Sequence, residues 1–288
     1  MLPDPSAALP VTVPRPTPMP ALSERTYPVF PQGVPPLQAD AGDYQVRFAK
    51  SKEDLDQVFR LRFEVYNLEM NEGLEESFLT GRDQDPFDSQ CHHLLVIHRA
   101  SGKLVGTYRM QTRPMAQAHL GFYSSSEFAV EEFPGELLRE AVEVGRACIE
   151  RSHRNGRVLQ LLWKGLAHYL NHNRKRYLFG CCSLASQDPL EGKALLDSLK
   201  AANAIHPELW VAPRPDYYLE APEMPAEPPV VEVPRLLQGY LNLGGWVCSD
   251  PAIDRQFKTI DYLVLVDVEA MPRGLFRRFL GRNETVRA

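Results

Sequence analysis

The residues in this chain best suited to chemistry are sorted by charge along it. Seven acids stand between Glu69 and Asp88, namely Glu69, Glu72, Glu75, Glu76, Asp83, Asp85 and Asp88, with Arg82 as the lone base. Seven bases stand between Arg151 and Arg176, namely Arg151, Arg154, Arg157, Lys164, Arg174, Lys175 and Arg176, with no acid among them. Carboxylates can hold a cationic amine or take its proton. Glu69–Glu76 reads as a mobile, solvated loop. Asp83, Asp85 and Asp88 flank Pro86 and Phe87 just before an apolar run, where carboxylates can be fixed. The basic run concentrates field and steers an acidic partner. Its plainer reading is a solvated helix whose C-terminal dipole favours cations. Docking is favoured because Arg151, Arg154 and Arg157 cluster before the helix.

Other chemistries are excluded. No Gly-x-Ser-x-Gly elbow is present, so an acyl-serine route has no nucleophile. The five cysteines are odd in number and lack Cys-x-x-Cys or Cys/His ligand spacing, which points to reduced thiols and no metal site. A formal net charge of −5 argues against general nucleic-acid binding. No signal-peptide pattern or bilayer-length apolar run occurs, so a cytoplasmic protein is expected.

The elements that must position these groups alternate between period 2 and period 3.6. Eleven of the 25 prolines fall in residues 1–40, which predicts a disordered tail there and one domain over 41–288. Strands are expected at Tyr44–Ala49, His92–His98, Leu104–Thr112, Ala141–Glu150, Tyr177–Ser183 and Thr259–Val268. Helices are expected at Glu53–Leu68 behind a Ser51 cap, at Val158–Leu170, at Pro189–Ala204 and at Leu275–Leu280. The proline-rich stretch Pro207–Pro234 reads as a long loop. The hairpin followed by strand, loop, helix and strand predicts an α/β domain with a mixed sheet. The loop between the strand ending near Glu150 and the helix starting near Val158 is where an anion would meet free N–H groups.

Several short motifs in order carry a resemblance. Arg60-Leu-Arg62-Phe-Glu-Val-Tyr66, Asp83-Gln-Asp85-Pro-Phe-Asp88, Gly106-Thr-Tyr-Arg109 and Glu143-Val-Gly-Arg146 resemble the frame of acyl-homoserine lactone synthases. Leu159-Gln-Leu-Leu-Trp163-Lys-Gly165-Leu, Gln238-Gly-Tyr-Leu-Asn-Leu-Gly-Gly-Trp-Val-Cys248 and Pro251-Ala-Ile-Asp254 resemble the ornithine–acyl carrier protein N-acyltransferases, often called haemolysin-like. The last of these blocks is missing from lactone synthases, which favours the second family. The resemblance spans about residues 44–268 and implies a GNAT-like α/β fold, with a mixed, largely antiparallel sheet flanked by helices.

It also implies transfer of a (3-hydroxy)fatty acyl group from acyl carrier protein to an amino acid, ornithine first, as the opening step of ornithine-lipid synthesis. The donor would be the acyl-phosphopantetheine of the carrier, or acyl-coenzyme A, with no permanently bound cofactor. The alternatives are a lactone synthase or a non-catalytic carrier-binding protein. Coenzyme A enzymes of this fold cradle a pyrophosphate in a glycine-rich turn. Here the turn is Arg151-Ser-His-Arg154-Asn-Gly156-Arg157, with one glycine and several cations, which suits a single phosphodiester on an acidic carrier.

Arg62, Arg109 and Arg146 are expected to neutralise Asp85, Asp88 and Glu143, since buried carboxylates are costly alone. Glu143 is the first candidate to orient or deprotonate the amine and Asp85 the second. A purely structural ion-pair network competes with that reading for Asp88 and Arg109. Direct attack without an acyl-enzyme is expected. In Pro272–Arg282, Leu275, Phe276, Phe279 and Leu280 share one helical face and Arg273, Arg277, Arg278 and Arg282 the other, a pattern that suits an anionic membrane surface or packing on the domain.

Overall fold

The computed structural model describes residues 27–220 and 222–271, together with 274 and 276. The strands are β1 (Gln38–Ala41), β2 (Tyr44–Phe48), β3 (His92–His98), β4 (Leu104–Thr112), β5 (Ala141–Ile149), β6 (Tyr177–Leu184), β7 (Trp246–Val247), β8 (Ala252–Asp254) and β9 (Thr259–Asp267). The helices are α1 (Lys52–Arg62), α2 (Ser77–Thr80), α3 (Arg113–Gln117), α4 (Gly135–Glu140), α5 (Arg157–His172), α6 (Pro189–Ala201) and α7 (Arg235–Asn242). The strands form one sheet in the order β1-β2-β3-β4-β5-β6-β9-β7, with β8 also paired to β9. Every pairing is antiparallel except β5 with β6. This is the mixed, largely antiparallel sheet that the sequence predicts.

Alternation along β3 builds the two faces. Leu94 and Val96 point into the main core beneath α5, while Leu95 points into a second core beneath α1. Two glycines let α5 press onto the sheet. A Cβ on Gly165 would lie 2.3 Å from Leu94 Cδ2, and one on Gly106 would lie 2.6 Å from Val158 Cγ1. Helix α1 starts as expected, with Ser51 Oγ accepting from the Asp54 N–H. It then widens into a π-helical stretch over Phe63–Met70, where the sequence predicts continuous helix to Leu68. Such widening often marks functional positions.

Two expectations are corrected. The fold begins before Tyr44, because β1 pairs with β2 from Gln38 to Ala41. Upstream, the buried His92 donates a 2.7 Å hydrogen bond from Nε2 to the Val29 carbonyl. Proline does not prevent this order, since an edge strand can do without some N–H donors. Nor is Glu69–Glu76 a plain solvated loop, because the π-helical stretch runs to Met70, Glu72 is half-buried and α2 begins at Ser77. The expected tail over residues 1–26 and most of the expected helix Leu275–Leu280 lie outside the described residues. Phe276, which is described, is buried against the main core. No helix among the described residues is long and apolar enough to cross a membrane.

Candidate active site

Strands β5 and β6 pair for only three residues, Ala141–Glu143 with Tyr177–Phe179, and then part. At the apex they are still close, since a Cβ on Gly180 would lie 2.1 Å from the Val144 carbonyl oxygen. Beyond it opens a cavity of about 780 Å³ lined by residues 143–149 of β5 and by Cys181, Ser183 and Leu184 of β6. The edge of β5 past Glu143 therefore faces the cleft with backbone groups that β6 does not claim. A bulge lies in the same stretch. The β4–β5 register shifts between Thr107 and Arg109, and Arg146 takes a left-handed φ of 52°. Left-handed backbone at an arginine is costly, and here it accompanies the bulge that turns β5 along the cleft.

Against this cleft the predicted charges meet in one buried network. Arg62, on the last turn of α1, is wholly buried and reaches Asp83 at 2.6 Å and Asp88 at 2.6 Å. Arg109, on β4, reaches Asp85 at 2.5 Å and Asp88 at 2.9 Å. Arg146 binds Asp83 and lies between the Tyr66 and Phe257 rings, 4.5 and 4.6 Å from their centroids. Burial alone would raise the Asp88 carboxyl, but Arg62 and Arg109 outweigh it and hold it well below the usual range. Burial alone would lower Arg62, and the three aspartates reverse that. Three arginines thus balance three aspartates, with Asp83 a full member beside Asp85 and Asp88.

Glu143 does not join that network, contrary to the expected pairing with arginine. Its carboxylate accepts from Gln111 Nε2 at 2.5 Å, from the Tyr123 N–H at 2.9 Å and from the Ser124 N–H at 2.6 Å. The reason is register. Gln111 is the direct partner of Glu143 across β4 and β5, whereas Arg109 stands opposite Gly145. Glu143 therefore ties the loop Tyr123–Ser126 to the start of the cleft.

Residues 61–164 match the Acetyltransferase (GNAT) domain family. The L-ornithine N(alpha)-acyltransferase of Agrobacterium fabrum is 31% identical over 261 residues, which cover 85% of this chain and 88% of that protein. The chain belongs to this family. The L-ornithine N(alpha)-acyltransferase of Rhizobium meliloti is 32% identical over 240 residues, covering 78% of this chain and 80% of that protein. Among solved structures, the AHL synthase LasI overlaps 85% of this chain and all of its own at 11% identity and a TM-score of 0.47, a likeness too distant to bear on chemistry. The chain is an acyltransferase with a GNAT-type fold, and the cleft just described lies between the strands where its sheet parts.

In this acyltransferase the basic run is not a single patch. Helix α5 has 16 residues, so its two ends lie about 24 Å apart. At the far end Arg176 pairs with Asp267 at 2.5 Å and Glu269 at 3.3 Å, and Lys175 binds the Arg139 carbonyl, so both have structural partners. At the cleft end Arg151 is exposed, Gly156 takes a φ of 81° just before α5, and Arg157 extends past Tyr44 to the Ala41 carbonyl. Arg154 is held in a two-pronged pair with Glu69 at 2.6 and 2.8 Å. The turn also consumes its own donors. The Ser152 N–H donates to Glu150 and the Arg157 N–H to Asn155.

The sequence missed two groups. Glu72, read as part of a solvated loop, is half-buried and lines the cleft; burial and then Asp261 push its carboxyl up to about 7. Glu127 meets Asp254 and Asp261, which lie seven residues apart on the paired strands β8 and β9, as a group of buried carboxylates, although Glu127 is far from both in the chain. No local motif could have shown this. Asp254 closes the recognised Pro251-Ala-Ile-Asp254 block, which was the one signal available. The cysteines lining the cleft, Cys91, Cys148 and Cys181, all have thiols pushed up by burial and are poor nucleophiles. His92 and His93 are both buried and hydrogen-bonded, His92 to Tyr169 and His93 to the Asp88 carbonyl.

Proposed function

We propose that the enzyme transfers a fatty acyl group from the phosphopantetheine thioester of an acyl carrier protein to the α-amine of ornithine. The observation that carries this reading is the parting of β5 and β6 into a cleft that runs to the Arg151–Arg157 turn. An extended, amide-rich pantetheine arm can pair with an unclaimed strand edge as an added strand. Its phosphate then falls near Arg151 and Arg157, at the N-terminus of a long helix. Carrier is favoured over coenzyme A because the turn spends the Ser152 and Arg157 N–H groups on its own side chains. A pyrophosphate needs several such donors, while one phosphodiester and an acidic protein face are met by side-chain cations.

The chemistry is direct aminolysis. Glu72 takes the proton from the amine, since its pKa of about 7 suits general-base work at neutral pH. The freed nitrogen attacks the carbonyl carbon, the N–C bond forms, the C–S bond breaks, and the pantetheine sulfur leaves as thiolate and takes, through solvent, the second proton that the nitrogen sheds on becoming an amide. Glu143 positions Tyr123 and Ser124 beside the reacting groups. The Arg62–Asp83–Asp85–Asp88–Arg109–Arg146 network holds β4, β5 and the π-helical stretch in register, so the reactants meet in a fixed geometry, an effect worth about 7 kcal/mol or more. The five unpaired cysteines favour work in the reducing cytoplasm.

The test is incubation of purified protein with acyl-carrier protein or acyl-coenzyme A and a panel of amino acids, read by mass spectrometry. N-acyl-ornithine formed mainly from the carrier is expected. Turnover with equal efficiency from both donors would overturn the carrier assignment, and absence of acyl-ornithine would overturn the reaction.

A further inference from the structure

Glu127, Asp254 and Asp261 bring carboxylate oxygens within 4.8 Å of one another, all buried. Glu127 has no exposed surface, and neither of its oxygens nor Asp261 Oδ1 has a well-formed hydrogen bond; the Tyr123 and Cys181 side chains and Asp261 itself are the polar groups beside Glu127. None of the ion pairs among the described residues involves these three acids. Burial, followed by Asp261 and Asp254, pushes the Glu127 carboxyl well above its usual value, and the nearby Tyr123 and Cys181 only partly offset this. Asp261 is likewise raised, to about 6, chiefly by burial. Three acids crowded in low dielectric hold protons when alone and are fully ionised only when a cation joins them.

The position of the group says which cation. Asp261, Thr259 and Tyr123 line the cleft. The Tyr123 N–H is bound to Glu143 at the point where β5 and β6 part, so one residue links the carboxylate group to the start of the cleft. We infer that Glu127, Asp254 and Asp261 bind the side-chain ammonium of a diamino acid acceptor and thereby set which amino acid is acylated. The inference rests on the acyltransferase reading above. An ammonium offers three donors and no acceptor, which matches three converging carboxylates. A hard divalent ion would want six or more oxygens. Asp254 Oδ1 is already committed to the Gln256 and Phe257 N–H groups, so such an ion would have to draw much of its shell from water.

The test compares ornithine with norvaline, which has the same carbon chain without the terminal amine. The wild-type enzyme should favour ornithine by about 10³-fold or more in kcat/KM, because norvaline leaves buried carboxylates unpaired. Glu127→Gln and Asp261→Asn should each cut that ratio at least about tenfold. Equal use of the two amino acids by wild type overturns the inference and needs no variant that might misfold. A ratio unchanged in both folded variants also overturns it. So does loss of ornithine turnover on chelation with EDTA that magnesium, calcium or manganese restores, because the acids would then hold a metal. Acylation of neither amino acid would instead sink the underlying acyltransfer reading, and the inference with it.

Discussion

Tyr123 and Glu143 are joined through the backbone: the Tyr123 N–H donates to Glu143 Oε2 at 2.9 Å, and the adjoining Ser124 N–H donates to Oε1 at 2.6 Å. With Gln111 as third donor, the carboxylate is fully engaged as an acceptor. Glu143→Gln therefore does more than remove a charge. One of its carboxylate oxygens becomes an NH₂ group facing N–H donors, which leaves buried groups unmatched at a cost of about 1–3 kcal/mol. We expect a lower melting temperature together with lower turnover, as the loop that carries Tyr123 loosens. Calorimetry and steady-state kinetics on the same preparation check this. An unchanged melting temperature with collapsed kcat would show Glu143 acting on the substrate itself.

Asp88 touches both Arg62 and Arg109 and is wholly buried. Asp88→Asn leaves those two guanidinium groups short of a counter-charge. Loss of one partner from a buried ion pair costs about 3–5 kcal/mol. Urea unfolding should register a loss of that size. A loss below about 1 kcal/mol would mean that solvent reaches the network. The pH dependence runs in one direction. The depressed Asp88 carboxyl contributes stability that is present above the ordinary aspartate range and is lost as pH falls through its lower folded value.

How much of this was legible beforehand depended on whether the information was local. β3 and β4 match the expected ranges His92–His98 and Leu104–Thr112, because strand alternation and the turn at Gly102 are local signals. Ser51 was legible as a cap for the same reason. The acidic and arginine members of the central network were found from motif order, but their pairing was not. Which arginine meets which carboxylate depends on the register of β4 against β5 and on the bulge at Arg146. Glu72 looked like any exposed glutamate, because its burial comes from a cleft wall contributed by β5, β6 and β9. The short helices α3, α4 and α7 and the two-residue strand β7 were missed; at those lengths tertiary packing outweighs propensity.

The carrier-docking surface is predicted to be confined to the cleft end of α5. Arg151→Glu with Arg157→Glu should raise KM for acyl carrier protein by at least about tenfold and flatten the fall in activity with salt. Arg174→Glu serves as the control at the other end of the helix, about 24 Å away, and should change neither. Arg154 is a poorer probe, since reversing it also strands Glu69. If the double variant keeps the wild-type KM and salt slope, the carrier docks elsewhere.

The pH profile tests the base. Glu72 works only when deprotonated, so wild-type kcat/KM should rise with pH through about 7, where burial and Asp261 place its carboxyl. Glu72→Gln removes the proton acceptor, and activity at pH 8 should fall by about 10²–10⁴-fold. The limb near 7 should vanish with it, and any smaller rise left near 6 belongs to Asp261. Stability should move the other way. An acid whose folded pKa is raised above its unfolded value weakens folding as pH climbs from the unfolded pKa to the folded one, and the penalty is complete above it. Glu72→Gln removes this penalty, so the variant should melt no lower than wild type at pH 8 while losing most of its rate. A carboxylate held by ion pairs, such as Asp88, has the opposite sign. A Glu72→Gln enzyme that keeps its rate and its limb near 7 would remove Glu72 from the mechanism.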